Sequence, residues 1–421
     1  MPRRDKQLPS NPFHPTFGKL PPELIDNDRY VKQLIRGLRD GSGSPDRFFR
    51  IFGPRCSGKT SLLKAMGDAA RAEGWHVVNV AAENGNDVPM RIIKKLHTDS
   101  TTSETHGVMA AVGNIVNGDG NTSSVSLSAS GSKTTTKSST IDSIDLTTSF
   151  EEFFACNRKI GGILLLIDEA QNVDGDDMAK ILSTMQELNI DGYDIAFAIA
   201  GFPSLKRLIG SGRGGTSFIT KTRRVELGRL NPVSVTESFM RVFHQYGISI
   251  GEDTARYMSY LAQGYPVLIQ CVGHSVYRLV ERQEQSRRSA DDVNMIVARD
   301  IVNDEYAAFL LQDIIEDMTP VQIRFMIGFS ALANEDQNGI VRWGDLLERT
   351  GSAKNALTQP RAQLIDAGVI EARHRGQLIC CIPYLTQYIA GNADQLRLEY
   401  DDEMPWGDNG YDYSDFEDTL F

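Results

Sequence analysis

Between residues 21 and 230 two patterns alternate along the chain. One is a short continuous apolar run closed by turn residues. The other is apolar residues at helical spacing. The runs are Arg50–Phe52 inside Arg-Phe-Phe-Arg-Ile-Phe, Trp75–Val80, Gly162–Ile167 and Asp194–Ala200, and the more polar stretch Thr222–Pro232 reads as the last strand and the exit from this region. Helical spacing marks Tyr30–Leu38, Ser61–Ala70, Val88–Leu96, Phe150–Ala155 and Ala179–Leu188. A run that is apolar on both faces suits a strand covered from both sides, which is how parallel strands are found. The alternation therefore predicts an α/β fold, a three-layer sandwich around a parallel sheet.

Downstream the pattern changes twice. Residues 233–312 keep only helical periodicity, in Val235–Tyr246, Glu252–Ala262, Pro266–Glu281 and Ala290–Gln312, and predict a small helical unit. Residues 318–393 read as helices Thr319–Ala333, Val341–Gly351 and Ala353–Ala367. Two β runs then fall within Val369–Ile382, on either side of Arg375-Gly376. Helix, helix, helix and hairpin predict a winged helix-turn-helix. The expected division is an extended, Pro-rich segment at 1–20, a core at 21–230, a helical lid at 231–317, a winged helix at 318–393 and a tail at 394–421.

Composition modifies this picture in two places. From 98 to 148 the chain is Ser, Thr, Gly and Asn with few large apolar residues, which predicts an insertion into the core, partly disordered. The alternating run Ser124–Ser128 inside it suggests a small hairpin. The second place is the C-terminus. Net charge is −11, but residues 401–421 hold eight acids and no Lys or Arg, so the rest is near neutral. The tail reads either as a solvated terminus or as an acidic, aromatic peptide that docks on a basic surface of the chain or on an unknown protein partner. No run approaches the roughly 20 apolar residues of a membrane span, so no membrane association is expected. Five cysteines without a Cys-x-x-Cys pair, and no signal-peptide pattern at the start, point to a reducing, cytoplasmic setting.

The chemistry sits at the ends of the apolar runs. Gly53-Pro54-Arg55-Cys56-Ser57-Gly58-Lys59-Thr60 fits the phosphate-loop pattern at every fixed position and stands between a strand and a helix. Gly53 and Gly58 let the backbone curl so that successive N–H groups face phosphate oxygens, at a helix N-terminus that begins near Ser61. Lys59 is placed to reach the β- and γ-phosphates, and Thr60 to offer its hydroxyl to Mg²⁺. Cys56 occupies a variable position of the loop. The run Gly162–Ile167 ends in Asp168-Glu169, at the edge of a parallel sheet where ligands bind. Asp168 suits the Mg²⁺ shell opposite Thr60, and Glu169 suits activation of the attacking water.

Together these residues resemble the AAA+/STAND ATPases, and among them the bacterial ATP-binding proteins with an origin-recognition-like ATPase module and a C-terminal winged helix. Besides the loop and Leu164-Leu-Leu-Ile-Asp-Glu-Ala-Gln171, two stretches carry the resemblance. Ala200-Gly-Phe-Pro203 with Arg223-Arg-Val-Glu-Leu-Gly-Arg-Leu230 is similar to the end of the sensor-1 strand and the strand leaving the core. Gln263-Gly-Tyr-Pro266 is similar to the motif that opens a lid helix, whose proline approaches the nucleotide. Two departures stand out. Ala200 and Gly201 replace the usual polar sensor-1 residue, and no arginine follows Pro266 until Arg278. The resemblance implies an ATP- and Mg²⁺-dependent switch with slow hydrolysis and self-association. Arg223 and Arg224 are candidate arginine fingers or a strand-edge salt bridge, with Arg213 behind them. Lys354, Asn355, Gln359 and Arg361 on the helix Ala353–Ala367, with Arg373, His374 and Arg375 on the wing, would serve DNA binding. Protein contacts, or covering the nucleotide domain, are the other roles of that unit. The competing reading is a DNA-binding regulator or scaffold that binds nucleotide without hydrolysing it.

Overall fold

The computed structural model describes residues 8–16, 19–83, 85, 87–103, 145–210, 218–283, 288–373 and 376–400. Helix α1, Asp28–Asp40, precedes strand β1, Phe48–Phe52. Helix α2, Lys59–Ala72, and strand β2, His76–Ala81, follow. Then come α3, Val88–Ser103, α4, Leu146–Cys156, and β3, Ile163–Asp168. The core ends with α5, Gly175–Ile190, β4, Ile195–Gly201, α6, Leu205–Gly210, and β5, Arg223–Glu226. The expected insertion is narrower than 98–148, because α3 runs on to Ser103 and α4 starts at Leu146. The hairpin expected at 124–128 lies outside the described residues.

The five strands form one parallel sheet in the order β2-β3-β4-β1-β5. Residues of β1 and β3 alternate between its two faces. Phe49, Ile51, Leu164 and Leu166 pack with Leu34 of α1 and Leu62 and Met66 of α2. Phe48, Phe52, Leu165 and Ile167 pack with Val88 and Ile92 of α3, Phe150 of α4 and Met178 of α5. Both faces are therefore apolar and covered, which is why these strands read as unbroken apolar runs. Topology leaves one crevice at the C-terminal edge. There β1, β3 and β4 end together, with Phe52 beside Gly201.

The rest of the chain is mostly helical: α7, Pro232–Gln245, α8, Glu252–Ala262, and α9, Pro266–Glu281. The single helix expected at 290–312 is divided. Asn294 caps a new start by accepting from Ile296 N–H, giving α10, Met295–Tyr306. A π-turn at Ala307–Leu311 then leads into α11, Gln312–Glu316. Next come α12, Pro320–Glu335, with a Thr319/Gln322 capping box, strand β6, Ile340–Arg342, α13, Trp343–Thr350, and α14, Lys354–Asp366. Strands β7, Ile370–Ala372, and β8, Gln377–Cys380, pair antiparallel, and β6 adds to the far side of β8. The chain closes with α15, Leu385–Gly391, and α16, Ala393–Tyr400. The acidic tail expected from 394 thus begins later, because Ala393 and Leu396 of α16 are buried. Residues from Val235 to Leu396 share one continuous core, and Phe13 from the N-terminal segment sits inside it.

Candidate nucleotide site

The glycine-rich loop follows β1 directly. A side chain at Gly53 would put its Cβ 2.4 Å from Ser57 Oγ and 3.0 Å from Leu227 O, so only glycine fits. Ser57 closes the turn by donating to Pro54 O at 2.8 Å. Gly58 has φ +88° and forms the N-cap of α2. Cys56 also has a left-handed backbone, φ +61°, where glycine would be unstrained. Its thiol is pushed up to about 11 by burial, so it stays protonated.

Lys59 is buried at the head of α2. Its ammonium donates to Gly53 O at 3.0 Å and Pro54 O at 2.8 Å and lies 4.7 Å from the centre of the Phe202 ring. Burial lowers its pKa, and the carboxylates of Glu169 and Asp168 act against that. Thr60 Oγ1 donates to Asp168 Oδ2 at 2.6 Å, and Asp168 Oδ1 accepts from Glu169 N–H at 3.0 Å. Burial raises the pKa of Asp168, a carboxylate short of cationic partners. Glu169, at φ +51°, turns the chain out of β3. Thr60, Asp168 and Glu169 are thus assembled at one place from elements 108 positions apart.

Lys59, Thr60 and Glu169 open on a cavity of about 1200 Å³. Loop residues Arg55–Ser61 and Glu169, Gln171 and Phe202 line one side; Pro266 and Val267 of α9 and Leu310 of the π-turn line another. Pro266 Cγ lies 3.5 Å from where a Gly58 Cβ would be, so the start of α9 rests on the loop. Gly264 allows this. At φ +73° it passes so close to Leu230 O that a Cβ would sit 2.5 Å away.

Two parts of the wall come from far along the chain, and only the second, as a unit covering the nucleotide domain, is among the readings of the sequence. One is the segment 8–16. Tyr277 Oη donates to Pro9 O at 2.7 Å, Asn11 Nδ2 to His274 O at 3.1 Å, and His14 N–H to Gln270 Oε1 at 3.2 Å. Phe13 is only 2% exposed and packs against Phe239 and Phe243. This strap carries His14, Pro15 and Thr16 into the cavity wall. Its cue in the sequence is no more than an aromatic residue among prolines. The other part is the end of α14, where Gln363, Asp366 and Ala367 face the cavity. Nearby, a Cβ at Gly368 would meet the Phe202 ring at 3.0 Å.

The candidate arginines lie elsewhere. Arg223 pairs with the buried Asp46, and Arg224 pairs with Glu226, both at the sheet-edge strand β5. Neither lines the cavity. Asp46 is held below the ordinary carboxylate range by Arg36 and Arg223, against the opposing effect of burial. Arg361 lies over the Trp343 ring at 4.9 Å, while Lys354 and Arg373 are exposed. Arg213, His374 and Arg375 lie outside the described residues. No helix among the described residues is long and apolar enough to cross a membrane.

The donor set fits ATP with Mg²⁺. Lys59 rests on the loop's own carbonyls and is free to move to phosphate. A hydroxyl and a carboxylate already paired at 2.6 Å are the hard oxygen ligands that Mg²⁺ takes alongside phosphates and water.

Comparison with solved structures bears on this geometry. The *Aeropyrum pernix* ORC2 protein, in ADPNP–ADP complexes, superposes with a TM-score of 0.56 at 12% identity, over 92% of this chain and 98% of that one. The chain has the fold of the P-loop ATPases. The Walker-type ATPase PABY2304 of *Pyrococcus abyssi* gives a TM-score of 0.54 at 15% identity, over 86% of this chain and 95% of that one. Residues 309–389 match a family model described as a domain of unknown function, DUF8462. No curated protein matches the chain.

Proposed function

We propose that the chain binds ATP as an AAA+/STAND-like protein, hydrolyses it slowly with Mg²⁺, and uses the bound nucleotide as a conformational or assembly switch. The observation that carries this reading is the convergence of Lys59, Thr60 and Glu169 on one cavity at the C-terminal edge of the sheet, with Asp168 hydrogen-bonded to Thr60 behind them. The similar *A. pernix* protein is described in complexes with ADPNP and ADP, which supports a nucleotide there. In this reading the loop N–H groups and Lys59 hold the phosphates, and Thr60 and Asp168 hold Mg²⁺. The ion would neutralise charge that builds on the β- and γ-phosphates. Glu169 takes a proton from the attacking water. Pro266 on α9 and Asp366 on α14 adjoin the same cavity, so a changed phosphate group would be felt by both helical units.

Lys59→Ala is expected to lose ATP affinity, and Glu169→Gln to keep affinity and lose turnover. Unchanged affinity in the first, or surviving turnover in the second, removes the assignment. Arg223 or Arg224 would act as a finger only on a neighbouring subunit and only by leaving its ion pair. A rate per subunit that rises with protein concentration is the expected sign of that arrangement.

The competing reading is nucleotide held as a structural ligand by a DNA-binding regulator whose residues 318–393 act as a winged helix. Buried Ala200 and side-chain-free Gly201, where a polar sensor would stand, favour it. Lys354, Arg361, Arg373 and Arg375 are its DNA contacts. Phosphate release over many turnovers, with and without DNA, separates the two readings. Affinity for DNA that does not weaken with salt would rule out phosphate contacts.

A further inference from the structure

Strand β3 ends in two carboxylates, whereas β4 ends with no polar side chain. A neutral polar group nevertheless stands at the end of β4, supplied from the turn after β3. Gln171 Nε2 donates to Glu169 Oε2 at 2.6 Å, and Gln171 Oε1 accepts from Phe202 N–H at 3.0 Å. Gly201 makes room for it: a Cβ there would stand 2.6 Å from Gln171 Oε1 and 3.3 Å from Gln171 N. The left-handed Glu169 folds the 3₁₀ turn Ala170–Asn172 back toward β4, so the amide can reach both partners. Phe202 in turn packs under the Lys59 ammonium. One side chain therefore connects the acid after β3, the end of β4 and the ring beneath the lysine.

We infer that Gln171 is a positioning residue for ATP hydrolysis, its amide fixing the Glu169 carboxylate against the end of β4 so that it faces the attacking water. This rests on the ATPase reading above. In that step the water oxygen bonds to the γ-phosphorus and its proton passes to Glu169. The bond to the bridging oxygen breaks, and its electron pair stays on the ADP β-phosphate. Gln171 neither gains nor loses a proton. The amide serves both ends at any pH, giving a hydrogen bond to a carboxylate and accepting one from a backbone N–H. The same amide replaces in space the polar residue that Ala200 and Gly201 do not provide.

The test uses the full chain with Gln171→Ala and Gln171→Glu. Affinity for ATP and ADP, steady-state phosphate release and amide exchange at Phe202 are measured. Gln171→Ala is expected to lower kcat by about tenfold or more through misplacement of the base, with KM and both affinities within about twofold. Phe202 N–H, left without its acceptor, is expected to exchange faster in the absence of nucleotide. Gln171→Glu is expected to lose the same rate at pH 8 and to recover as pH falls, because only the protonated acid can donate to Glu169. The other titratable and charged groups around this cavity are Asp168 beside Glu169, Lys59 and Arg55 from the loop, His14, Lys19 and Glu23 from the segment before α1, and Asp366 from α14. Gly201→Ala, which displaces the amide with Gln171 intact, is expected to reproduce the Gln171→Ala loss if Gln171→Ala itself folds poorly. Wild-type kcat in Gln171→Ala, or unchanged exchange at Phe202, overturns the inference alone. A wild-type protein that releases no more phosphate than Lys59→Ala overturns the ATPase reading, and the inference with it.

Discussion

Removing the Phe13 ring should release the N-terminal strap from the molecule. The ring is 2% exposed, its centre lies 5.5 Å from that of Phe243 and 6.0 Å from that of Phe239, and it covers Gly273 of α9. Truncating a buried Phe to Ala costs about 3–5 kcal/mol. The side-chain hydrogen bonds that also hold residues 8–16, from Tyr277 to Pro9 O, Asn11 to His274 O, His14 N–H to Gln270 and between His274 Nδ1 and Phe13 O, contribute about 1 kcal/mol each. The ring is therefore the largest single anchor. Because residues 8–16 are held by one ring and a few hydrogen bonds and form no helix or strand, the loss should appear as local opening rather than as unfolding of the whole core. Converted to an opening constant at about 1.4 kcal/mol per tenfold, it corresponds to about 10²- to 10⁴-fold faster amide exchange over residues 8–16 in Phe13→Ala. Gly273→Ala should do the same from the other side, since its Cβ would stand 2.4 Å from the ring. Both variants should bind ATP more weakly, because His14, Pro15 and Thr16 leave the cavity wall. Unchanged protection of residues 8–16 in Phe13→Ala would refute the anchoring argument. So would a fall in Tm as large as that caused by Phe243→Ala.

Two further outcomes follow from buried ionisable groups. Burial raises the folded-state pKa of Asp168, so its contribution to stability is full below its ordinary value and is lost as pH rises through the folded value. Asp168→Asn, without nucleotide or Mg²⁺, should therefore raise Tm at pH 8 and leave it unchanged at pH 3, while losing the further stabilisation that MgATP gives the wild type. A lower Tm at pH 8, measured by differential scanning fluorimetry, would contradict this. The Cys56 thiol, raised to about 11 by burial, should resist iodoacetamide at pH 8 in the folded chain, while the exposed Cys156 reacts quickly. Equal labelling of the two, read by peptide mass, would show that the Cys56 thiol is not held protonated.

The sheet could be read from the sequence because its strands are covered on both faces. The unbroken apolar run Gly162–Ile167 leaves little choice of element, and its end at Asp168 fixes the chemistry. The Gly264–Pro266 boundary is similarly plain, since a left-handed glycine and a helix-starting proline allow few conformations. Contacts between distant segments were not readable. Phe13 finds its ring partners on α7, and His14 bonds to a residue 256 positions away. The Gln171 bridge needs β3 and β4 to be neighbours, which periodicity does not reveal. Lys354, Asn355, Gln359 and Arg361 on one helix suit DNA, protein contacts or a cover over the nucleotide domain. That the last turn of that helix, with Gln363 and Asp366, faces the cavity depends on packing between distant units, which the sequence does not display. At 290–312, helical spacing hid an Asn294 cap and a π-turn, because both preserve the apolar face.

The nucleotide site itself is tested most directly by phosphate release from MgATP over many turnovers. Wild-type chain, Lys59→Ala and Glu169→Gln are compared at matched concentration, with ATP affinity measured in parallel. Slow release by the wild type is expected, with none from either variant, and with ATP binding kept by Glu169→Gln and lost by Lys59→Ala. Equal release by all three, or full ATP affinity in Lys59→Ala, would contradict the site described here.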